Sequence, residues 1–354
     1  MSGKGPFDTP FDQLPNPRQV WVGEPGSREE GLGKLSLLTP EVVSKAASTE
    51  VKTGERVTLG WELTKLELAN MNRQPCQHHI ISLLNGHAFD DVYIMNPRVK
   101  NRVASGTVSD TSPSLLQEKE KVIASELFME GQRRQKFSTQ RMIELECNTG
   151  LVKESQVPVK QYCPPYNPTL YAYTYPCLAG RGVLIDYASY AERNGIKYST
   201  FSTHQIRLMD ILKIAKECNI TFQRGDILLV RIGVTKEWDN VMSKSQKQDY
   251  ALSSNPEHAG VEATTDVLRW LWDTGFSAIA GDAISWEVYP PQNPDIFLHE
   301  YILAGWGMPI GELFDLEALA KKCEEHQRWS FFVTSVPFNM PGGVSSPPNA
   351  MAIF

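Results

Sequence analysis

The chain has 354 residues, of which 41% are hydrophobic and 21% charged, and a formal net charge of -6. These are the proportions of a soluble globular protein, and the weakly acidic balance excludes a basic nucleic-acid-binding surface as its organising feature. Six cysteines (Cys76, Cys147, Cys163, Cys177, Cys218 and Cys323) form no C-x-x-C pair, which argues for reduced thiols rather than a zinc ribbon or a disulfide framework. Residues 1–15 are polar and rich in Pro and Gly, and no stretch of about 18 apolar residues occurs anywhere. A cytoplasmic protein acting on a small molecule is expected, with neither nucleic acid nor membrane as partner.

In chain order, residues 1–35 read as an extended arm, with Phe7, Phe11, Val20 and Trp21 as anchors onto the body. Thr39-Pro40-Glu41 opens a helix that runs through Ala47, with Thr as cap and Pro in the first turn. Residues 56–61 and 91–95 read as strands, with His78 and His79 at a strand entry and Asp90 and Asp91 in a loop ahead of a strand. The apolar run at 182–186 has the character of a buried strand.

Ser202 and Gln205 have capping-box spacing, which predicts a helix with Leu208, Ile211, Leu212 and Ala215 on one face and His204 in its first turn. Residues 227–232 are almost continuously apolar, as in a strand covered on both faces. The next helix carries Ala263, Val267, Trp270 and Leu271 and ends at Gly275, with Trp270 and Trp272 on different faces. A strand at 277–280, a helix over 316–326 capped by Asp315, and a strand at 329–336 complete the series. Buried strands alternating with helices predict a layered α/β domain over 36–354. There is no internal repeat, and neither G-x-G-x-x-G nor a P-loop is present.

His299 and Glu312 flank a Gly-rich bend, 304–309, and an imidazole paired with a carboxylate is a common ligand set for a divalent metal. Taken alone such a pair is weak, because a Glu shortly before Asp315 also suits a helix N-terminus. Trp286 and Tyr289 either line a pocket for an aromatic amide or pack in the core.

The ordered strings Gly180-Arg181-Gly182-Val183-Leu184-Ile185-Asp186-Tyr187, Gly225-Asp226-Ile227-Leu228-Leu229, Ala280-Gly281-Asp282-Ala283-Ile284-Ser285, His299 and Glu312-Leu313-Phe314-Asp315-Leu316 resemble the cyclase family that includes bacterial kynurenine formamidase. The closing run Phe331 to Pro337, then Asn339-Met340-Pro341-Gly342-Gly343, fits the same pattern, and Asp8-Thr9-Pro10-Phe11-Asp12 is most similar to the filamentous-fungal branch. The resemblance covers most of 7–95 and all of 180–354. It implies a β/β/α cyclase-type fold, a homo-oligomer, and a zinc or manganese ion. It also implies arylformamidase-like hydrolysis of a linear amide, as in tryptophan catabolism. By the same resemblance His299 and Glu312 are metal ligands, and His299 is the catalytic histidine.

The family's remaining ligands come from an N-terminal motif, H-x-G-T-H-x-D-x-P-x-H in the bacterial enzymes and similar to S-Q-W-D-G-x-R-H in the fungal branch. Neither form is present, and residues 98–178 contain no histidine at all. Metal binding by this chain is therefore expected to be weak or absent. The alternative function is that of a catalytically dead family member with a binding or scaffolding role.

The genetic code offers an origin for the anomaly. When the third base of each codon is joined to the first two of the next, Val103 to Thr111 permits S-Q-W-D-G-F-R-H, the missing motif in its expected place. The stretch 157–178 begins with a GT codon and can end in TAG, and with one further base its length restores the frame at Gly180. Residues from about Arg98 to Gln156 thus read as an out-of-frame translation and 157–178 as a translated intron, with a genuine lineage-specific insertion as the alternative. Sequencing the transcript is expected to find a dominant mRNA without the 157–178 span; a dominant mRNA that keeps it in this frame supports the insertion.

Overall fold

The computed structural model describes residues 7–18, 20, 32–68, 76–83, 88–94, 178–337 and 347–354. Trp21, the questioned stretch as far as residue 177, and the closing loop at 338–346 lie outside the described residues.

A seven-stranded mixed sheet organises the fold. Its strands are β1 (Arg56–Thr58), β4 (Leu178–Asp186), β6 (Ile227–Arg231), β8 (Ala278–Gly281), β9 (Ile310–Gly311), β10 (Ser330–Ser335) and β11 (Ala350–Ile353), in the order β1-β11-β10-β4-β6-β8-β9. From β4 to β9 the neighbours are parallel, whereas β10, β11 and β1 join antiparallel on the other side. Two short ladders stand apart from it, β2 (Gln77–Leu83) with β3 (Ala88–Ile94) and β5 (Gln205–Ile206) with β7 (Gly260–Val261).

The apolar run of β6 follows from this placement. Successive side chains point to opposite faces, so Leu228 and Val230 enter one core while Ile227 and Leu229 enter a second. In β4, Val183 and Ile185 join the first core and Leu184 the second. The first core is closed by α2 (Tyr187–Arg193), α3 (Leu208–Glu217) and α6 (Thr265–Thr274). The second is closed by α7 (Glu317–His326), through Leu319, Ala320 and Cys323, and by Phe354. This is the layered α/β fold that the alternation of strands and helices predicts.

Several elements differ from expectation, for local reasons. The helix expected from Ser202 starts only at Leu208, because Ser202 Oγ bonds the Ser199 carbonyl and Gln205 is taken into β5. His204 therefore lies in the loop before β5, where its Nε2 meets Tyr187 Oη at 2.8 Å. Along α3 it is Ile214 rather than Leu212 that completes the buried face. Asp90 and Asp91 lie within β3, paired with Ile81 and Ile80, and not in a loop. Ala263 precedes α6, which begins at Thr265 under a Thr264 cap. The helix at Thr39 extends from Pro40 to Glu50 as α1, with the Thr39 side chain accepting from the Val42 amide. Two further helices, α4 (Val234–Asn240) and α5 (Lys244–Leu252), escape the apolar-period reading because they are short or polar. The Ser243 and Gln246 capping box of α5 is nonetheless legible in the sequence.

The arm docks through aromatic side chains. Phe7 and Phe11 are buried, and Val20 packs against the same core. The indole N–H of Trp272 donates to the Thr9 carbonyl at 2.8 Å, and that of Trp306 to the Pro17 carbonyl at 2.7 Å. Lys34 follows Gly33, whose φ of 49° and approach to Gly307 leave no room for a Cβ. Its amine is fully buried over Trp272 (3.9 Å to the ring centroid) and Phe7 (4.8 Å), with no hydrogen-bond partner among the described residues.

Burial, and then the neighbouring Arg224, push the Lys34 amine down to about 7, against the pull of Asp273. Between about pH 7 and pH 10.5 the unfolded chain holds this proton while the native state does not, so Lys34 makes stability rise with pH across that window. Lys34→Met is expected to raise the unfolding midpoint most below pH 7 and to flatten the rise. Chemical denaturation at pH 6, 8 and 10 measures both effects.

Candidate functional site

The site forms at the carboxyl ends of the parallel strands, where open α/β sheets place their ligands. β9 ends at Gly311 and delivers Glu312, and β8 ends at Gly281 and delivers the segment Asp282 to Tyr289. His299 stands immediately before a π-helical turn, Glu300–Gly305, a form of helix common at functional sites.

The structure brings His299 and Glu312 together: the ring Nε2 lies 3.3 Å from Glu312 Oε1. Behind the ring stands a residue that the sequence reading did not select. Glu287 is fully buried, and its carboxylate accepts the Leu298 amide at 2.6 Å, the His299 amide at 3.0 Å and the His299 ring at Nδ1. A carboxylate on Nδ1 fixes that nitrogen as a protonated one and leaves Nε2 for a second partner. Here Nε2 faces Glu312. The only sequence signal for Glu287 is an acid set in a run, Ala283 to Val288, whose other residues are apolar except Ser285, which is an uncomfortable place for a charge without a dedicated partner.

Backbone geometry aims both carboxylates. Trp286, just before Glu287, has φ 55°, and Leu313, just after Glu312, has φ 54°. Both are large residues in the left-handed region, a conformation that persists only where the surroundings impose it. For Trp286 the surroundings are clear: its side chain is buried, and its indole donates to the Ala280 carbonyl at 3.1 Å. Trp286 thus belongs to the core rather than to a pocket wall. On the other side β7 comes so close that a Cβ on Gly260 would lie 2.3 Å from the Glu287 carbonyl carbon. Val261 N–H bonds the Trp286 carbonyl and Val288 N–H bonds the Val261 carbonyl, each at 3.0 Å.

Two buried charge clusters hold the strand ends below the site. Arg231 on β6 spans Asp186 Oδ1 and Glu317 Oε2, each at 2.6 Å, and so ties β4 and α7 to the central strand. Asp282 accepts the amides of Ile232, Gly233 and Val234 at 2.7, 2.6 and 3.0 Å and thereby caps α4. Burial pushes the Asp282 carboxyl up to about 7, against the pull of those amides and of Arg231.

The donor chemistry of His299 and Glu312 suits a divalent cation. Glu287 touches the opposite ring nitrogen and so backs the histidine instead of adding a ligand. Among the described residues no group of three or more His, Cys, Asp and Glu side chains is arranged to hold a metal. A catalytic centre ordinarily takes three protein ligands, so the described residues do not fit a complete one. His78 and His79 lie on β2 with exposed side chains.

A family model described as "Putative cyclase" matches residues 146–288. The match begins inside the stretch 98–178 whose origin the sequence reading questions, and it takes in β4, β6, β8 and Glu287. No curated protein matches the chain. A solved structure titled "Crystal structure of a novel cyclase" aligns with a TM-score of 0.62 at 20% identity, covering 93% of this chain and 97% of the other. An isatin hydrolase bound to the product analogue thioisatinate aligns with a TM-score of 0.50 at 11% identity, covering 87% and 94%. At these identities the structures establish a shared fold, and the chain accordingly has the fold of cyclase-family proteins.

Glu287→Ala strands two buried amides, those of Leu298 and His299. It is expected to lower the unfolding free energy by about 2–6 kcal/mol, as measured by urea denaturation. A loss below about 1 kcal/mol contradicts the assignment of Glu287 as their acceptor.

Proposed function

We propose that the chain is a hydrolase that splits a linear amide C–N bond, similar in chemistry to kynurenine formamidase. The observation that carries the reading is the His299 arrangement, with Nδ1 held by a fully buried carboxylate and Nε2 presented beside a second one. Such a ring works as a general base and then as a general acid. Nε2 takes the proton of the attacking water and returns it to the departing amine, while Glu287 stabilises the imidazolium formed in between. The cyclase match over 146–288 supports this class of chemistry, as does the fold shared with an isatin hydrolase.

In this reading the substrate is an aryl formamide of the kind met in tryptophan catabolism, and the protein works in the cytoplasm as a homo-oligomer. Among the described residues no helix is long and apolar enough to cross a membrane. His299 and Glu312 supply two of the donors that zinc or manganese would need, and a bound ion would occupy Nε2 in place of its proton-transfer role; metal binding is weak or absent unless further donors are provided. A second reading, a catalytically inactive member that binds or scaffolds, is favoured by the lack of any histidine across 98–178.

The deciding experiment measures metal content and N-formylkynurenine hydrolysis with the purified full chain, in the presence and absence of added zinc or manganese. Hydrolysis that falls at least about a hundredfold in His299→Ala is the expected result. Absence of turnover under every metal condition, with the fold intact by circular dichroism, overturns the hydrolase reading in favour of the inactive one.

A further inference from the structure

A second buried histidine stands behind the first. His258 is fully buried, and its backbone pairs with Tyr289 through two hydrogen bonds, of 2.8 and 2.9 Å. Its ring is bracketed by hydroxyls, Tyr250 Oη at 2.8 Å from Nε2 and Ser285 Oγ at 3.3 Å from Nδ1.

The shorter of the two Ser285 contacts sets the direction of the hydrogen bonds for a neutral ring. Ser285 spends its hydroxyl proton on the Glu287 carbonyl, 2.9 Å away. Towards His258 its oxygen can then only accept, which makes Nδ1 the protonated nitrogen. Nε2 is left to accept from the Tyr250 hydroxyl. Each group uses its donor in the direction of Glu287.

What lies at the end of the chain is a strained turn. The Glu287 amide returns to the Ser285 carbonyl at 2.6 Å, closing a three-residue turn with Trp286 at its centre and φ 55°. The form of γ-turn with positive φ at the centre is rare and costly, and a bulky residue at that position gains nothing by adopting it. Two bonds close the turn in opposite senses, the amide bond and the Ser285 hydroxyl bond. The hydroxyl in turn is fixed by His258. The direction in which the Glu287 carboxylate leaves the backbone is set by this turn, and with it the orientation of the His299 ring.

We propose that His258 is a positioning residue which, through Ser285, clamps the Ser285-Trp286-Glu287 turn and thereby fixes the tautomer of His299. The inference rests on the proposed role of His299 for its functional meaning, but its geometric content stands apart from any reaction. His258 touches Ser285 and Tyr250, so it acts on His299 through Glu287.

The test is the nitrogen-15 spectrum of the histidine rings in the full chain, recorded without substrate for the wild type, Ser285→Ala, His258→Phe and His258→Asn. Ser285→Ala removes a single oxygen, and His258→Phe keeps an aromatic ring while removing the donor to Ser285 and the acceptor for Tyr250. Each is expected to shift the His299 ratio of Nδ1–H to Nε2–H by about tenfold, equivalent to one lost hydrogen bond. His258→Asn restores a donor near the Nδ1 position and is expected to return the ratio towards that of the wild type. Where hydrolysis is measurable, the two disruptive variants are expected to lose roughly tenfold to a hundredfold in turnover with little change in KM. An unchanged His299 ratio in Ser285→Ala overturns the proposal, as does failure of His258→Asn to restore what His258→Phe removes. Absence of hydrolysis in every variant, with the ratios shifting as described, counts against the proposed reaction and leaves the positioning role standing.

Discussion

A carboxylate with no solvent contact has to find all its compensation inside the protein, and the arrangement around Glu287 follows from that requirement. Two backbone amides and the His299 ring satisfy it. In doing so they bind the segment that carries His299 to the segment that leaves β8. The approach of Gly260, the left-handed conformation of Trp286 and the pairing of β7 with Val288 all serve to put one acid in one place.

The sheet supplies the rigidity that this placement needs. Parallel strands buried on both faces put their carboxyl ends in register, and each end carries a charged residue held by its neighbours. Asp186 is held by Arg231, Arg231 also by Glu317, and Asp282 by the amides of Ile232, Gly233 and Val234 leading into α4. Asp186, Arg231 and Asp282 are deeply buried, so their hydrogen bonds contribute mainly by keeping a single arrangement; breaking one would leave a charge uncompensated. The arm contributes differently, through the edges of Phe7 and Phe11 against Trp272 and Trp306 and through two indole hydrogen bonds to its backbone.

Much of the architecture was legible because local pattern and burial agree. The Thr39 cap, the Gly275 stop and the apolar runs of β4 and β6 each report a constraint that acts within a few residues. The expected helix at Ser202 failed where a local signal lost to a partner distant in sequence, since Gln205 gains more from pairing with Gly260 than from capping. Asp90 and Asp91 failed in a similar way, because hairpin pairing with Ile81 and Ile80 overrides the preference of adjacent acids for loops. Of the site, His299 and Glu312 were found through residue chemistry and resemblance, and the structure places them 3.3 Å apart.

By itself the sequence determined the alternation of buried strands and helices, the docking of an aromatic arm, and an imidazole and a carboxylate as candidate donors. It also determined that residues 98–178 offer no histidine to join them. Only the tertiary structure decided what stands behind the imidazole. Glu287, Ser285 and His258 have no spacing that marks them as a unit, and their grouping arises from the close passage of β7 along the segment after β8. That passage depends on Gly260 having no side chain and on Trp286 accepting a left-handed backbone. Such through-space coincidence has no period and no motif, and for that reason only the folded chain reveals it.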